Sequence, residues 1–252
     1  MKPIREKIET SDFGLKKSEI FLYQSLIKTN KVLFIIKGMY GRHSPDVITK
    51  DIPKWDVQLV NNFTKYAHIV CCNTSSGIIE LQANFETRKE AYKDKTFQQE
   101  VGDIKKVVAR VKDIFYEKGI PEPEFYFFGK SFGGTILLAL QESLAAKAIY
   151  MVGSGCGKSE TTTNSLLKTM PEESVLLKNI SYYEKGKFYF FRGELDDVVP
   201  KESQEKIVSA IKKDILEYIV MDGVDHEFER LNGLDSDIPL KSIMNKISDS
   251  LA

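Results

Sequence analysis

Short apolar segments recur along the chain and alternate with longer amphipathic ones. The short segments are rich in β-branched and aromatic residues and predict strands at 20–26, 32–36, 68–72, 124–128, 148–152, 187–191 and 216–221. Most of them are almost continuously apolar, which is typical of strands that are covered by helices on both faces. The pattern therefore predicts an α/β fold with a mostly parallel sheet between two layers of helices.

The longer segments predict helices at 53–66, 96–118, 132–143, 201–214 and 239–251. In segment 96–118 the apolar residues return every three or four positions and form one face of a helix: Val101, Ile104, Val107, Val108, Val111, Ile114 and Phe115. Segments 6–11 and 20–26 break the alternation of strand and helix. They predict an antiparallel hairpin that opens the sheet.

The length of 252 residues lies in the range of one large α/β domain, so we expect a single domain over residues 1–252. The longest stretch without a clear pattern is 156–186, where apolar residues occur in short helical pieces. We interpret this stretch as a small lid segment at most. It is too short for a large cap domain, because its helices also need turns that return to the sheet.

Composition narrows the classes of function. Lys and Arg number 36 and Asp and Glu number 36, so no basic excess is present to neutralise a nucleic-acid backbone. The three cysteines, Cys71, Cys72 and Cys156, lack the spacing of a zinc site or a disulfide framework, which favours a reducing compartment. No apolar run approaches the ~20 residues that span a bilayer, and we find no signal peptide. We expect a cytoplasmic protein that binds neither nucleic acid nor membrane, and we leave its oligomeric state open.

Ser131 lies between glycines where a predicted strand meets a predicted helix. The segment 129–133 reads Gly-Lys-Ser-Phe-Gly and fits the G-x-S-x-G pattern of a nucleophile elbow. A sharp turn at this point exposes the hydroxyl, and the glycines remove side chains that would collide as the chain reverses. The amides and positive dipole end of the following helix suit a developing oxyanion. Ser131 is the candidate nucleophile, and a structural serine in a glycine-rich turn is the alternative.

A serine hydroxyl needs a base to become a nucleophile, and the chain offers three histidines. His68 begins a predicted strand, and His43 lies in the loop after an early one. His226 follows the last predicted strand in a loop at the carboxyl edge of the sheet, so we predict that it is the base. The loop after the preceding strand contains two adjacent candidates for the orienting acid, Asp196 and Asp197.

Three separated motifs make the sequence similar to the α/β-hydrolase superfamily over most of its length. The matches are G-x-S-x-G at 129–133, G-x-x-D-x-x-V-P at 193–200 and G-x-x-H-x-F at 223–228. The order Ser, Asp, His along the chain is also that of this superfamily. The resemblance implies the α/β-hydrolase fold and a catalytic triad of Ser131, His226 and Asp196. It favours Asp196 over Asp197, because Asp196 occupies the aspartate position of the motif.

The resemblance also implies an oxyanion hole built from two backbone amides. The family's His-Gly loop after the third strand is similar to segment 37–41, although Lys37 replaces the usual histidine. This match assigns the amides of Met39 and Phe132 as the oxyanion donors. Segment 73–77 departs from the D-x-R-G-x-G loop of many relatives, and this departure bears on the subfamily rather than on the triad.

The function that this resemblance implies is hydrolysis of a small-molecule acyl substrate through an acyl-enzyme, without a metal or organic cofactor. A carboxylic ester is the default substrate. A thioesterase, peptidase or acyltransferase on the same scaffold is the main alternative, and a non-catalytic binding protein is another. Residues 153–159 end in Gly-Lys-Ser like a nucleotide-binding P-loop, but the required first glycine would fall on Val152. Nucleotide binding is therefore the less favoured interpretation.

Overall fold

A single mixed sheet forms the centre of the computed structural model, which describes residues 2–43, 55–76, 85–157 and 163–252. Its strands are β1 (Ile4–Glu9), β2 (Lys17–Tyr23), β3 (Lys31–Ile36), β4 (His68–Asn73), β5 (Glu124–Lys130), β6 (Ala148–Val152), β7 (Lys187–Gly193) and β8 (Leu216–Met221). Their spatial order is β1-β2-β4-β3-β5-β6-β7-β8. The pairs β1–β2 and β2–β4 are antiparallel, and all the other neighbours are parallel. The predicted mostly parallel sheet with an N-terminal hairpin is confirmed.

The helices in the described ranges are α1 (Trp55–Phe63), α2 (Phe85–Ala91), α3 (Phe97–Glu117), α4 (Phe132–Ala139), α5 (Ser165–Lys168), α6 (Glu173–Ile180), α7 (Lys201–Ala210) and α8 (Ile238–Leu251). A 3₁₀ helix (Gln141–Ala145) follows α4, and a small hairpin pairs β9 (Arg230–Leu231) with β10 (Leu234–Asp235). Within the described ranges, no helix combines the length and apolarity needed to cross a membrane.

Both faces of the sheet are covered, which explains why most of its strands are continuously apolar. Leu59 of α1 and Ile247 of α8 are buried in the core on one face. Val107 of α3, Leu137 of α4 and Ile180 of α6 are buried in the core on the other. The predicted arrangement of helices on both faces of the sheet is confirmed.

The bounds of several elements differ from the prediction for local reasons. The first hairpin begins earlier than expected, because a turn closed by the bond from Thr10 N to Lys16 O (3.0 Å) takes up residues that we assigned to a strand. Helix α7 ends early because Ile211 adopts extended backbone, with φ −90° and ψ 141°. Helix α2 and the small hairpin were not predicted, because they are short and lack an apolar repeat. Positions 53–54 of the first predicted helix lie outside the described residues.

Helix α3 follows the prediction for 96–118 closely because its first turn carries a capping box. Gln99 N donates to Thr96 Oγ1 at 3.2 Å, and Thr96 N donates to Gln99 Oε1 at 2.9 Å. These two bonds satisfy amides that have no acceptor inside the helix. The cap thereby fixes where α3 begins relative to the sheet edge.

Residues 163–186 are the main described part of the segment that we interpreted as a small lid. They form α5 and α6, whose side chains Leu166, Leu176 and Ile180 are buried in the same core as α3 and α4. Val175 is exposed on the outer side of α6. Within these residues, the apolar side chains therefore mainly extend the helix layer over the sheet. Positions 158–162 lie outside the described residues.

A fully buried lysine links the loop after β4 to α3. Lys95 Nζ donates to Ser75 O at 2.7 Å, to Glu100 Oε2 at 2.5 Å and to Asp103 Oδ2 at 2.8 Å. Burial alone would lower the pKa of Lys95, but Glu100 and Asp103 outweigh that effect and raise it. For the acid Asp103 burial has the opposite effect and would raise the pKa. Lys95 and a bond from Ser75 outweigh burial and hold the pKa of Asp103 below its usual value. Lys95 and Asp103 are therefore both charged at neutral pH.

We predict that Lys95→Met lowers the free energy of unfolding by about 3–5 kcal/mol, because it leaves two carboxylates buried without their cation. Lys93→Met is the matched control. Lys93 forms an exposed pair with Glu90 at 3.2 Å, so its loss is expected to cost less than about 1 kcal/mol. Urea unfolding of both variants measures the difference, and equal losses would contradict a stabilising role for the buried cluster.

Candidate active site

Ser131 lies at the turn between β5 and α4 in a backbone conformation that few non-glycine residues adopt. Its φ is 53° and its ψ is −124°, outside the regions that side chains tolerate easily. Such strain persists only where the surroundings hold the backbone. Here Ser131 N donates to Val152 O of β6 at 2.8 Å, and Ser131 O accepts from Gly134 N at 3.0 Å. The strained turn is thereby fixed at the carboxyl edge of the sheet.

The glycines of the motif allow the chain to reverse at this point. A Cβ at Gly129 would lie 2.6 Å from the Gly134 nitrogen, and one at Gly133 would lie 2.2 Å from the Ile36 carbonyl oxygen. Both distances are far below contact distance for a carbon atom. The first turn of α4 therefore packs directly on the backbone at the end of β3, with no room for a side chain.

The structure brings the three predicted triad residues together from three separate loops. His226 Nε2 lies 3.0 Å from Ser131 Oγ. On the other side of the ring, His226 Nδ1 lies 3.0 Å from Asp196 Oδ1 and 3.1 Å from Asp196 Oδ2. The histidine side chain is 8% exposed and the aspartate side chain is fully buried. The arrangement is a continuous hydrogen-bonded chain from a hydroxyl to a buried carboxylate.

Asp196 is held as a carboxylate by donors on both oxygens. Its Oδ1 accepts from the amides of Val198 at 3.1 Å and Val199 at 2.9 Å, and its Oδ2 accepts from Gln204 Nε2 at 3.0 Å. Burial would raise the pKa of Asp196, but the bonds from His226 and the Val199 amide outweigh it and lower the pKa. The neighbouring Asp197 is exposed to solvent.

Gln204 is a site residue that the sequence did not reveal. It lies in the first turn of α7, is completely buried, and also donates to Val199 O at 2.9 Å. No motif marks it, because a glutamine in a polar helical segment has no distinctive spacing. Its contact with Asp196 exists only because α7 begins immediately after the acid loop and folds back on it.

A cation joins the serine turn to the histidine loop. Lys130, which precedes Ser131, donates from Nζ to Glu227 Oε2 at 2.6 Å and lies 5.1 Å from the centre of the Trp55 ring. Trp55 Nε1 in turn donates to Glu227 O at 3.1 Å. Burial opposes the charge on Glu227, but Lys130 more than offsets it and lowers the pKa of that carboxyl group. These contacts hold Glu227, which follows His226, against Lys130, which precedes Ser131.

The segment predicted to supply one oxyanion donor forms a tight turn beside Ser131. Gly41 N donates to Gly38 O at 2.9 Å, and Tyr40 has a φ of 57°. In such a turn the bond between its ends does not use the amide of the second residue, here Met39. A Cβ at Gly38 would lie 3.4 Å from Ser131 Cβ, so the turn lies directly against the serine.

Phe132, the other predicted oxyanion residue, occupies the first position of α4. Amides in the first turn of a helix have no acceptor inside that helix, and they lie at its positive end. The amide of Phe132 follows Ser131 directly along the chain. Both predicted donors are thus on backbone segments adjacent to the serine side chain.

The other two histidines are engaged away from Ser131. His43 is buried, bonds through Nδ1 to Asp56 Oδ2, and lies with Nε2 2.6 Å from the Tyr23 hydroxyl. Lys37 donates to the same Asp56 oxygen at 3.1 Å. Burial opposes the charge on Asp56, but His43 and Lys37 hold its pKa well below the usual value. Both ring nitrogens of His43 are therefore engaged by other side chains.

His68, at the start of β4, also has structural partners. Its Nδ1 accepts from Ser25 N at 3.2 Å, and its Nε2 lies 3.3 Å from Thr29 O. These contacts fix the chain between β2 and β3. Among the described residues, therefore, His226 is the histidine that reaches Ser131.

The glycine-rich stretch after β6, which superficially resembles a P-loop, lies beneath the proposed acid and base. Gly153 has a φ of 55°, and a Cβ there would lie 3.3 Å from Asp196 Oδ2 and 3.4 Å from His226 Nδ1. Thr135 Oγ1 donates to Gly155 O at 2.7 Å. The described part of this loop therefore packs against the site, while positions 158–159 of the motif lie outside the described residues.

In the part of the chain that is described, no group of three or more His, Cys, Asp or Glu side chains could hold a metal ion.

We predict that Gly133→Ala lowers the free energy of unfolding by about 3 kcal/mol, because the added methyl group would overlap the Ile36 carbonyl. Gly102→Ala in α3 is the matched control. A Cβ there meets no atom within 4 Å, so the substitution is expected to raise stability by about 0.5–1 kcal/mol. Chemical denaturation measures both, and a harmless Gly133→Ala would contradict the close packing of α4 on β3.

No protein-family model matches the sequence, and no curated protein is similar to it in sequence. Several solved structures, in contrast, are similar to almost the whole chain. A soluble variant of monoglyceride lipase from Saccharomyces cerevisiae has a TM-score of 0.69 at 11% identity, covering 100% of this chain and 94% of its own. A thermostable carboxyl esterase from Bacillus coagulans has a TM-score of 0.66 at 11% identity, covering 100% of both chains. Est1E from Butyrivibrio proteoclasticus has a TM-score of 0.63 at 14% identity, covering 93% of this chain and 95% of its own. At such low identities the similarity lies in the fold.

Proposed function

We propose that this chain, which has the α/β-hydrolase fold, is a single-domain serine hydrolase acting on a small-molecule acyl substrate. The observation that carries the proposal is the hydrogen-bonded chain from Ser131 Oγ through His226 to Asp196. It occurs at a strained serine turn at the carboxyl edge of the sheet. A carboxylic ester is the proposed substrate class, and the names of the structurally similar esterases and lipase support that choice.

In the proposed reaction, Ser131 Oγ attacks the carbonyl carbon of the substrate while His226 Nε2 accepts the hydroxyl proton. His226 then returns that proton to the leaving alcohol, which departs as the acyl-enzyme forms. A water molecule, deprotonated by His226, hydrolyses the acyl-enzyme and regenerates Ser131. Asp196 accepts from His226 Nδ1 throughout, which keeps Nε2 free to take the proton and stabilises the imidazolium.

The negative oxygen that develops in both steps needs donors that are already oriented. We assign the amides of Met39 and Phe132 to this role, because both lie on backbone segments adjacent to Ser131. Amides fixed in a turn and at a helix N-terminus do not have to reorganise as charge develops. The positive end of the α4 dipole adds to the same stabilisation.

Other acyl-transfer reactions can use the same groups. A thioesterase, a peptidase or an acyltransferase needs the same nucleophile, base and oxyanion donors and differs in the leaving group or the acceptor. The carboxylic ester is the preferred substrate here because the similar structures include proteins named as esterases. A non-catalytic binding protein on this scaffold is the competing class of function.

We predict that a fluorophosphonate probe labels Ser131 covalently and that Ser131→Ala lowers the turnover of an aryl ester by about 10⁶-fold while leaving the fold intact. Ser209→Ala on the exposed face of α7 is the control and is expected to react like the wild type. Mass spectrometry of the labelled protein and steady-state kinetics measure both effects. A wild type that is neither labelled nor active would favour the binding-protein alternative.

We predict that Asp196→Asn lowers turnover by about 10⁴-fold, because an amide side chain can favour the wrong imidazole tautomer. Asp197→Asn is the matched control, since Asp197 is the exposed neighbour in the same loop. It is expected to keep turnover within about twofold of the wild type. Kinetics on the same aryl ester measure both, and a larger loss in the Asp197 variant would reassign the acid.

A further inference from the structure

Tyr40 adopts a strained conformation in the turn that carries the proposed oxyanion donor Met39. Its φ of 57° is uncommon for a bulky residue and costs on the order of 1–3 kcal/mol unless neighbouring groups hold it. The Met39 N–H belongs to the peptide unit between Gly38 and Met39, inside the turn that the bond from Gly41 N to Gly38 O closes, so its direction depends on the conformation of this turn. Groups that hold Tyr40 therefore also determine where the oxyanion donor points.

One end of Tyr40 is held through its carbonyl and the other through its hydroxyl. Arg88 of α2 donates from Nη1 to Tyr40 O at 3.2 Å. Asn164 donates from Nδ2 to the Tyr40 hydroxyl oxygen at 2.5 Å, and the same nitrogen lies 2.8 Å from Met39 Sδ. Asn164 thus contacts both central residues of the turn from one side-chain amide.

The other end of the Asn164 side chain is fixed by a helix. Its Oδ1 accepts from Leu166 N at 3.0 Å and caps α5. Leu166 is 1% exposed in the core that also contains Phe132, so α5 is anchored in the helix layer. Because a cap has a defined orientation, the amide nitrogen of Asn164 is directed toward the turn. The residue that caps α5 therefore also contacts the turn.

We infer that Asn164 is a positioning residue for the turn at 38–41, which carries the proposed oxyanion donor Met39. This role rests on the proposed serine hydrolase function. Asn164 acts by holding Tyr40 and Met39 in place. Residues 163–186 accordingly contribute to catalysis as a fixed support of the oxyanion hole. This role differs from that of a lid, which would have to move away from the site.

The inference predicts a specific kinetic signature. Oxyanion donors act mainly on the developing charge of the transition state, so a displaced donor lowers kcat more than it raises KM. Loss of one complete donor typically costs 10²–10³-fold in kcat. A turn that is loosened rather than removed should cost less, and we expect kcat to fall about 5- to 30-fold with KM within about twofold.

Asn164→Ser and Tyr40→Phe test the two ends of the contact. Serine is a good helix cap, so the first variant keeps an acceptor for Leu166 N but is too short to reach Tyr40. The second variant removes only the hydroxyl. Asn62→Ser is the matched control, because Asn62 is a half-buried asparagine on α1 that donates to Gln58 O at 2.8 Å. It is expected to leave kcat unchanged.

The experiment measures kcat and KM on p-nitrophenyl acetate, thermal unfolding, and inhibition by an alkyl boronic acid, which mimics the charged tetrahedral intermediate. Both variants are expected to lose kcat and boronate affinity, and the double variant is expected to lose little more than either single one. Unchanged kcat in folded Asn164→Ser and Tyr40→Phe would overturn the inference, as would additive losses.

If Ser131 of the wild type is labelled by a fluorophosphonate while these variants keep full activity, the inference fails and the proposed function stands. A wild type without labelling or ester hydrolysis would overturn both.

Discussion

The reversal of the backbone at Ser131 is the constraint on which the other features of the site depend. A residue with a side chain at φ 53° requires external support, and hydrogen bonds to β6 and to the first turn of α4 provide it. The glycines at 129 and 133 allow that support, since any side chain there would meet backbone atoms. Because the reversal occurs at the carboxyl edge of a parallel sheet, the loops that follow the other strands reach the same place.

Each of the converging loops is held by polar contacts as well as by apolar packing. Gln204 and two backbone amides hold Asp196, Lys130 and Trp55 hold the histidine loop, and Asn164 holds the turn at Met39. Directional bonds suit this task, because they fix the orientation of a group whereas apolar contacts fix mainly its position. Such supporting contacts maintain hydrogen bonds of about 3 Å between groups from distant parts of the chain.

The same loops explain why similar side chains in the sequence have different roles. His43 and His226 both lie in loops at the sheet edge, yet His43 is buried between Asp56 and Tyr23, while His226 lies between Asp196 and Ser131. Asp196 and Asp197 are adjacent, yet one is buried and the other faces solvent. Environment, rather than residue type, separates the structural groups from the proposed catalytic ones.

Local patterns along the chain predicted the elements and the positions of the main candidates. Apolar runs and helical periodicity depend on local chain geometry, so the strands, α3 and the serine turn could be predicted, and the resemblance to a known family supplied Asp196 and the oxyanion amides. The groups that support these candidates became evident from the packing of the folded chain. Gln204, Trp55 and Asn164 have no distinctive local pattern, since their partners lie 8, 172 and 124 positions away in the chain. Contacts between residues so placed depend on how the helices and loops pack around the sheet, and no periodicity in the sequence records that packing.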